Sequence, residues 1–599
     1  MKKHFIFCTL VILIANLSIA QTINTYSISF ENAMHHEAVI KAEFTNLENK
    51  VLELRMSRTS PGRYALHEFA KNVYNVKAVD SNGNNLIITR PNPYQWNVSN
   101  HDGTVKISYT LFANRGGGTY SQVDKTHAHL NIPATFMYAP AYTKRGIKVN
   151  FMVREDLKWK IATQLKLLND GTYYAPDLHY FMDSPTEISN HAIRSYKINS
   201  NGKERTINFV LHHNGTDEEL DQYFDNVKKV VAQEIAVFGE LPDFDYDAYT
   251  FLACYIPNAS GDGMEHRNST ILTSTRSLAD GGMERNMGTI SHEFFHAWNV
   301  ERIRPRSLEP FNYEETNMSG ELWFAEGFTS YYTNLILCRA GLIAPQKYVE
   351  GLAGGLNYVW NSPARKYFNP IEMSYQAPFV DAARSVDPVN RENTFISYYT
   401  YGSVLGLALD LSLRNLENDK NLDGFMKLVW KTYGKPEIPY TVRDLQNLLS
   451  DYVDTEFSNH FFSNYIFDSQ MPDYKLLFAS VGIVFEQTKL NETSLGVKLN
   501  DTFKVTSTPF DGSAAYKAGL EKGDEIISIN SVLVSNGIKP LDYLSQFKPQ
   551  QTVTIILKRY GEQKEVQLTF DTNLFYTTKL LEKVKKKIVT KRGKWLGAK

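Results

Sequence analysis

Two histidines four positions apart, with a glutamate after the first, carry the clearest chemistry in this chain: His292-Glu293-Phe294-Phe295-His296. On an α-helix, residues four apart share a face, so both imidazoles can reach one metal ion. Glu293 is turned aside by about 100°, which sets its carboxylate against a water on the metal rather than on the metal itself. Zinc makes such a water acidic, and the carboxylate can take its proton. A catalytic zinc has three protein ligands and one open position, so a third ligand must come from elsewhere.

Two acids compete for that place. Glu315 follows His296 by 19 positions and Glu326 by 30. Counting favours Glu315, but it sits in "PFNYEETNMSG", whose Pro, Asn, Ser and Gly content reads as loop. Glu326 sits in "ELWFAEGFTSYYTNLIL", with Leu322, Trp323, Tyr331 and Leu335 at helical spacing. A ligand on a packed helix is held better than one on a loop, so Glu326 is the expected third ligand, and the stretch before it a loop insertion.

The elements that must position these groups fall into blocks. Residues 21–240 alternate apolar and polar positions, as in "TYSISFENAMHHEAVIKAEF" and "GTVKISYTLFA", and predict a β-rich domain closed by the helical "LDQYFDNVKKVVAQEIAVFG". Residues 241–472 turn helical after the strand "YDAYTFLACYI", with helical periods around 287–303, 324–340, 345–360 and 398–415. Residues 473–572 return to short strands, and 573–599 form a Lys-rich tail, read as a solvated terminus. The whole is a multidomain α+β chain.

At the other end, residues 1–20 join a basic "MKKH" to an apolar run and a small-residue "SIA", the pattern of a secretory signal peptide cut after Ala20. This predicts a secreted or periplasmic protein with no stable membrane span after cleavage. The 599 residues carry 64 basic and 65 acidic side chains; removing Lys2 and Lys3 leaves 62 against 65, a net charge of −3. That balance gives no reason to expect nucleic acid. Cys254 and Cys338 then remain, both in apolar surroundings; they read as buried free thiols, with a disulfide between them left open. "HAH" at 127–129 puts two imidazoles on one strand face, but no acid or cysteine accompanies it, so it reads as structural.

"HEFFHAWNVERIRP" followed by "LWFAEGFTSYY" resembles the glycyl aminopeptidase family, and "MSRTSPGRYALHEFAKNV" at 56–73 is similar to that family's N-terminal signature. The resemblance spans nearly the whole mature chain. It implies a thermolysin-like zinc peptidase domain between an N-terminal β domain and a C-terminal PDZ domain, one Zn2+ held by His292, His296 and Glu326, and peptide substrates. "GDGMEHRNST" resembles the exopeptidase loop of related aminopeptidases, so Glu265 is expected on the substrate's free α-amino group, with Gly263 and Met264 beside the substrate. "SYYTYGSVLGLALDL" matches the family's Tyr-x-Lys-Gly pattern except that Tyr401 replaces the lysine. Tyr399 is the expected oxyanion donor, with Tyr398 second. The resemblance also implies a preference for small N-terminal residues such as Gly or Ala.

The run "SLGVKLN…AAYKAGLEKGDEIISIN" looks like a PDZ domain, whose "SLGV" loop would receive a peptide C-terminus or an intramolecular ligand. The expected function is a zinc-dependent aminopeptidase with Glu293 as general base. The alternatives are an endopeptidase on the same scaffold and a PDZ-based peptide-binding adaptor with a vestigial metal site.

Overall fold

The computed structural model describes residues 22–382, 387–416, 420–534 and 537–599. The expected signal peptide lies outside them. Among the described residues no helix is long and apolar enough to cross a membrane.

The N-terminal strands form a seven-stranded sheet, a five-stranded sheet and a three-stranded sheet around one core. Asn24–Ser29 runs parallel to Ile147–Met152 and antiparallel to Glu37–Phe44, whose alternating burial places Ala38, Ile40, Ala42 and Phe44 in the core. The five-stranded sheet contains His127–Leu130, paired with Thr186–Ser189.

A second five-stranded sheet underlies the helix Met287–Phe295, which bears His292. Its order is Ala192–Ser200, Lys203–His213, Ala248–Tyr255, Ser269–Ser274 and, at the edge, Asp262–His266. Lys203–His213 and Ala248–Tyr255 are parallel, and the crossover between them is the helix Asp217–Phe238. Thr216 and Glu219 cap that helix reciprocally, and Gly239 ends it at φ 89°. Leu220, Tyr223, Phe224, Val227, Val230 and Val231 form its buried stripe. Residues 192–238 therefore belong with this sheet rather than with the N-terminal strands, which departs from the 21–240 grouping. The apolar alternation of 192–213 identifies strands without saying which sheet they join.

The helix bearing the two histidines also differs from expectation. It spans Met287–Phe295, with His296 as its last turn, instead of running to 303. Tertiary bonds outweigh the helical period here. Asn299 donates from its amide to the carbonyls of Phe324 and Ala325, and the buried Arg302 guanidinium donates to the carbonyls of Ala297, Arg267 and Asp243.

Glu326 joins Leu322–Ala325 to the helix Gly327–Arg339. This helix packs on Tyr398–Asn415 through two glycines. A Cβ on Gly402 would overlap the Trp323 carbonyl, and one on Gly327 would overlap Gly402. That close approach brings the start of Tyr398–Asn415 to the helix that bears His292.

The PDZ core runs from Leu495 to Phe570, around a four-stranded sheet. Residues 474–485 lie instead in the large helical core, and Ile483–Gln487 pairs with Tyr576–Leu580 as a ribbon against the helix Pro345–Trp360. The PDZ unit also docks through Asn393, which donates to the Pro509 carbonyl and accepts from the Asp511 amide.

The basic tail is not solvated as expected. Lys586–Leu596 is a helix whose Trp595 is fully buried, its indole donating to the Tyr331 hydroxyl at 2.9 Å. Tyr331 in turn donates to Asp410, which pairs with Arg414. The lysines hid an apolar Trp-Leu pair that outweighs their preference for water. Replacing Trp595 by Ala should cost about 3–5 kcal/mol. Urea unfolding followed by helical circular dichroism would read this as a lowered midpoint; an unchanged midpoint would show that the tail contributes no packing energy.

Candidate functional site

His292, His296 and Glu326 converge. Glu326 Oε2 lies 3.6 Å from His292 Nε2 and 3.2 Å from His296 Nε2. All three offer ligand atoms within 4.8 Å of one another. The rings are fixed from behind. His292 Nδ1 donates to Thr333 Oγ1 at 3.1 Å, since that hydroxyl already donates to the Thr329 carbonyl, and His296 Nδ1 donates to the Asn299 carbonyl at 2.5 Å. Both Nε2 lone pairs are thereby turned toward Glu326.

Glu326 is equally constrained. Its Oε1 accepts the Tyr64 hydroxyl at 2.8 Å, while its Oε2 is buried and makes no hydrogen bond. Ligand separations of 3.2 and 3.6 Å are close to the edges, roughly 3.3–3.5 Å, of a tetrahedron with bonds near 2.0–2.1 Å. The orphaned oxygen and the two lone pairs fit a divalent cation of zinc's size. Glu315, the competitor by spacing, is exposed on its loop.

The electrostatics agree. Burial opposes charge on His296, yet the carboxylates of Glu326, Glu265 and Glu293 outweigh it and push that imidazole up to about 10. Burial likewise opposes ionisation of Glu326, but His296 and His292 hold its carboxyl well below the usual range. Burial lowers His292, so the charge is favoured on the His296–Glu326 side of the cluster. Glu293 does the reverse: burial, reinforced by Glu265 and Glu326 against the pull of His296, raises it well above an ordinary glutamate. A raised carboxyl is what proton transfer near neutral pH requires.

Glu265 lies on the edge strand Asp262–His266 rather than on a loop, buried, with its carboxylate grouped with Glu293 and His296. Gly263 is hemmed in: a Cβ there would overlap Glu293 Oε1. Gly263 lines a cleft of about 510 Å³ together with His292, Glu293, Thr289 and Tyr399. Met264 does not share it. Its side chain is buried against Gly62 and Gly118, and the Glu265 carboxylate also lies against Gly62. Tyr399 borders the cleft with its ring centroid 5.9 Å from that of His292. Tyr398 is buried against Tyr64, and Tyr401 packs on Trp360, away from the cleft.

The N-terminal unit completes the site, which residue types alone did not reveal. The turn Pro61-Gly62-Arg63-Tyr64 reaches in from it. Arg63 donates to Asp262 Oδ1 at 2.5 Å and to the Gly263 carbonyl at 2.9 Å, holding the edge strand. The insertion between His296 and Glu326 anchors this turn from outside: Glu314 pairs with Arg55 at 2.8 Å, and the Tyr313 carbonyl accepts the Arg58 amide at 2.9 Å. Arg63 and Tyr64 both fall in the stretch 56–73, which marked the family resemblance without saying what each residue does.

Three segments match known families: residues 25–190 the M61 peptidase N-terminal domain, 285–405 the M61 glycyl aminopeptidase, and 480–570 a PDZ domain. The chain belongs to the M61 glycyl aminopeptidase family. It is thus a metallopeptidase with peptides as substrates. The fold is shared with an aminopeptidase N family protein from Idiomarina loihiensis at TM-score 0.83 and 23% identity, covering 96% of this chain and 100% of that one. An M1 zinc metallopeptidase from Deinococcus radiodurans matches at TM-score 0.41 and 10% identity, over 74% of this chain and 93% of that one. Aminopeptidase A of Legionella pneumophila matches at 0.43 and 12%, over 95% of this chain and 60% of that one. A search of curated proteins returned no match.

In this M61 protein, the bond from Tyr64 should set the affinity of the candidate metal centre. Tyr64→Phe keeps the ring and removes the donor to Glu326, so metal affinity should fall by about 10–100-fold. Chelator competition would measure it; unaltered affinity would mean that the hydroxyl does not orient the carboxylate.

Proposed function

We propose that this protein is a zinc-dependent aminopeptidase in which Glu293 is the general base and Glu265 binds the substrate's α-ammonium group. The observation that carries this reading is the position of Glu265. A buried carboxylate beside Glu293 and His296 rewards one positive charge at a fixed distance from the cleaved bond. A peptide amine supplies that charge, and an internal peptide segment does not.

His292, His296 and Glu326 would hold the zinc. Bound there, zinc supplies Lewis acidity that makes water acidic and polarises a carbonyl. Glu293 takes a proton from the attacking water onto its carboxylate and returns it to the leaving amine. Its buried setting keeps bulk water from competing for that proton. The Tyr399 phenol, at the cleft beside His292, donates to the oxygen that becomes negative as the carbonyl is attacked. Arg63 fixes the edge strand along which the substrate lies, through the Gly263 carbonyl. The family's glycyl specificity supports a preference for small N-terminal residues such as Gly or Ala, and the basic and apolar start of the chain supports a secreted or periplasmic enzyme.

Glycyl and alanyl reporter substrates should be cleaved, and N-acetylation should abolish cleavage. Glu265→Gln should lose a charge-assisted hydrogen bond of about 1.5–3 kcal/mol, lowering kcat/KM for free-amine substrates roughly 10- to 150-fold. Undiminished cleavage of acetylated peptides would replace the aminopeptidase reading by an endopeptidase.

A further inference from the structure

The "HAH" stretch has Asp124 close by in sequence, and the fold brings a second acid and a thiol to it from distant strands. His129 is the register partner of Glu187 in the N-terminal five-stranded sheet. In the sheet beneath the helix Met287–Phe295, His212 is the register partner of Cys254. The two pairs face each other across the boundary between the sheets. Cys254 Sγ lies 3.5 Å from His212 Nδ1, and Glu187 Oε1 lies 3.7 Å from that same nitrogen. The three ligand atoms fall within 4.8 Å of one another.

We propose that Glu187, His212 and Cys254 form a second metal site, for a borderline-soft divalent ion of the zinc class, that clamps the N-terminal unit to the catalytic sheet.

Five observations support it. A thiolate, an imidazole and a carboxylate together suit zinc-like ions rather than magnesium or calcium. Separations of 3.5 and 3.7 Å lie near the edges, roughly 3.3–3.6 Å, of a tetrahedron with bonds of 2.0–2.3 Å. Glu187 is 1% exposed, and its Oε1 has no hydrogen-bond partner, although such an oxygen is costly to bury unpaired. Its other oxygen accepts from His129 Nδ1 at 3.0 Å, the outer contact that orients a ligating carboxylate. A fourth donor is at hand. His127 is fully buried, with Nδ1 directed to Asp124 and Thr126, Nε2 unpartnered, and its ring centroid 5.0 Å from that of His212.

Binding would release the Cys254 thiol proton to solvent and create a cross-link between strands that the chain joins only through the turn at residues 190–191. The N-terminal unit carries Arg63 and Tyr64, so the clamp holds those groups over the catalytic cleft from a distance.

The test uses the full chain, stripped of metal and reloaded with Co2+. A thiolate ligand gives a sulfur-to-cobalt charge-transfer band that the His292–His296–Glu326 set cannot produce. Wild type should show the band, Cys254→Ser should lose it together with one equivalent of bound metal, and Cys338→Ser should retain both. Absence of the band in cobalt-saturated wild type would overturn the proposal. So would loss of the band in Cys338→Ser with retention in Cys254→Ser. The wild-type spectrum decides the matter even if Cys254→Ser fails to fold.

Discussion

Holding the Glu326 carboxylate inside the protein, against two imidazoles and beside two further carboxylates, is the constraint that the rest of the molecule serves. Burial of charge is expensive unless every partner is fixed in place. Here each partner is fixed by a different element. Thr333 and Asn299 set the rings, Tyr64 sets the carboxylate, and Arg63 neutralises Asp262 on the edge strand. A site assembled this way is ready to receive a cation without rearranging.

The same constraint explains why the N-terminal domain is not a detachable accessory. Tyr64 and Glu326 are 262 residues apart in sequence yet share a hydrogen bond. The insertion that separates His296 from Glu326 lies on the N-terminal core, burying Phe311 and Tyr313 there. Its length is therefore not slack in the ligand spacing but a strap holding the Arg63–Tyr64 turn in position. On the other side, Gly327 and Gly402 let two helices meet closely enough for Tyr399 to reach the cleft, and the buried Trp595 supports Tyr331 on the Glu326 helix.

Much of this could be read from residue order, and all but one of the failures have a common cause. The helical spacing of apolar residues around Glu326 distinguished it from the exposed Glu315, because local periodicity reports which residues a helix buries. Strand alternation located the β-rich region for the same reason, whereas the run "AAYKAGLEKGDEIISIN" marked the PDZ domain by its resemblance. What could not be read were contacts between distant segments. The bond from Tyr64, the early end of the helix at His296, the sheet joined by residues 192–213 and the acid and thiol facing "HAH" all depend on partners far along the chain. The docked tail failed differently: its lysines dominated the composition while Trp595 decided the packing.

Glu326 is proposed to supply the oxygen ligand. This is tested most directly by the metal content of Glu326→Ala beside Glu315→Ala, each measured on the folded full chain after dialysis. Glu326→Ala should lose one equivalent of metal, while Glu315→Ala should match wild type. The opposite pattern, with metal lost from Glu315→Ala and kept in Glu326→Ala, would place the ligand on Glu315.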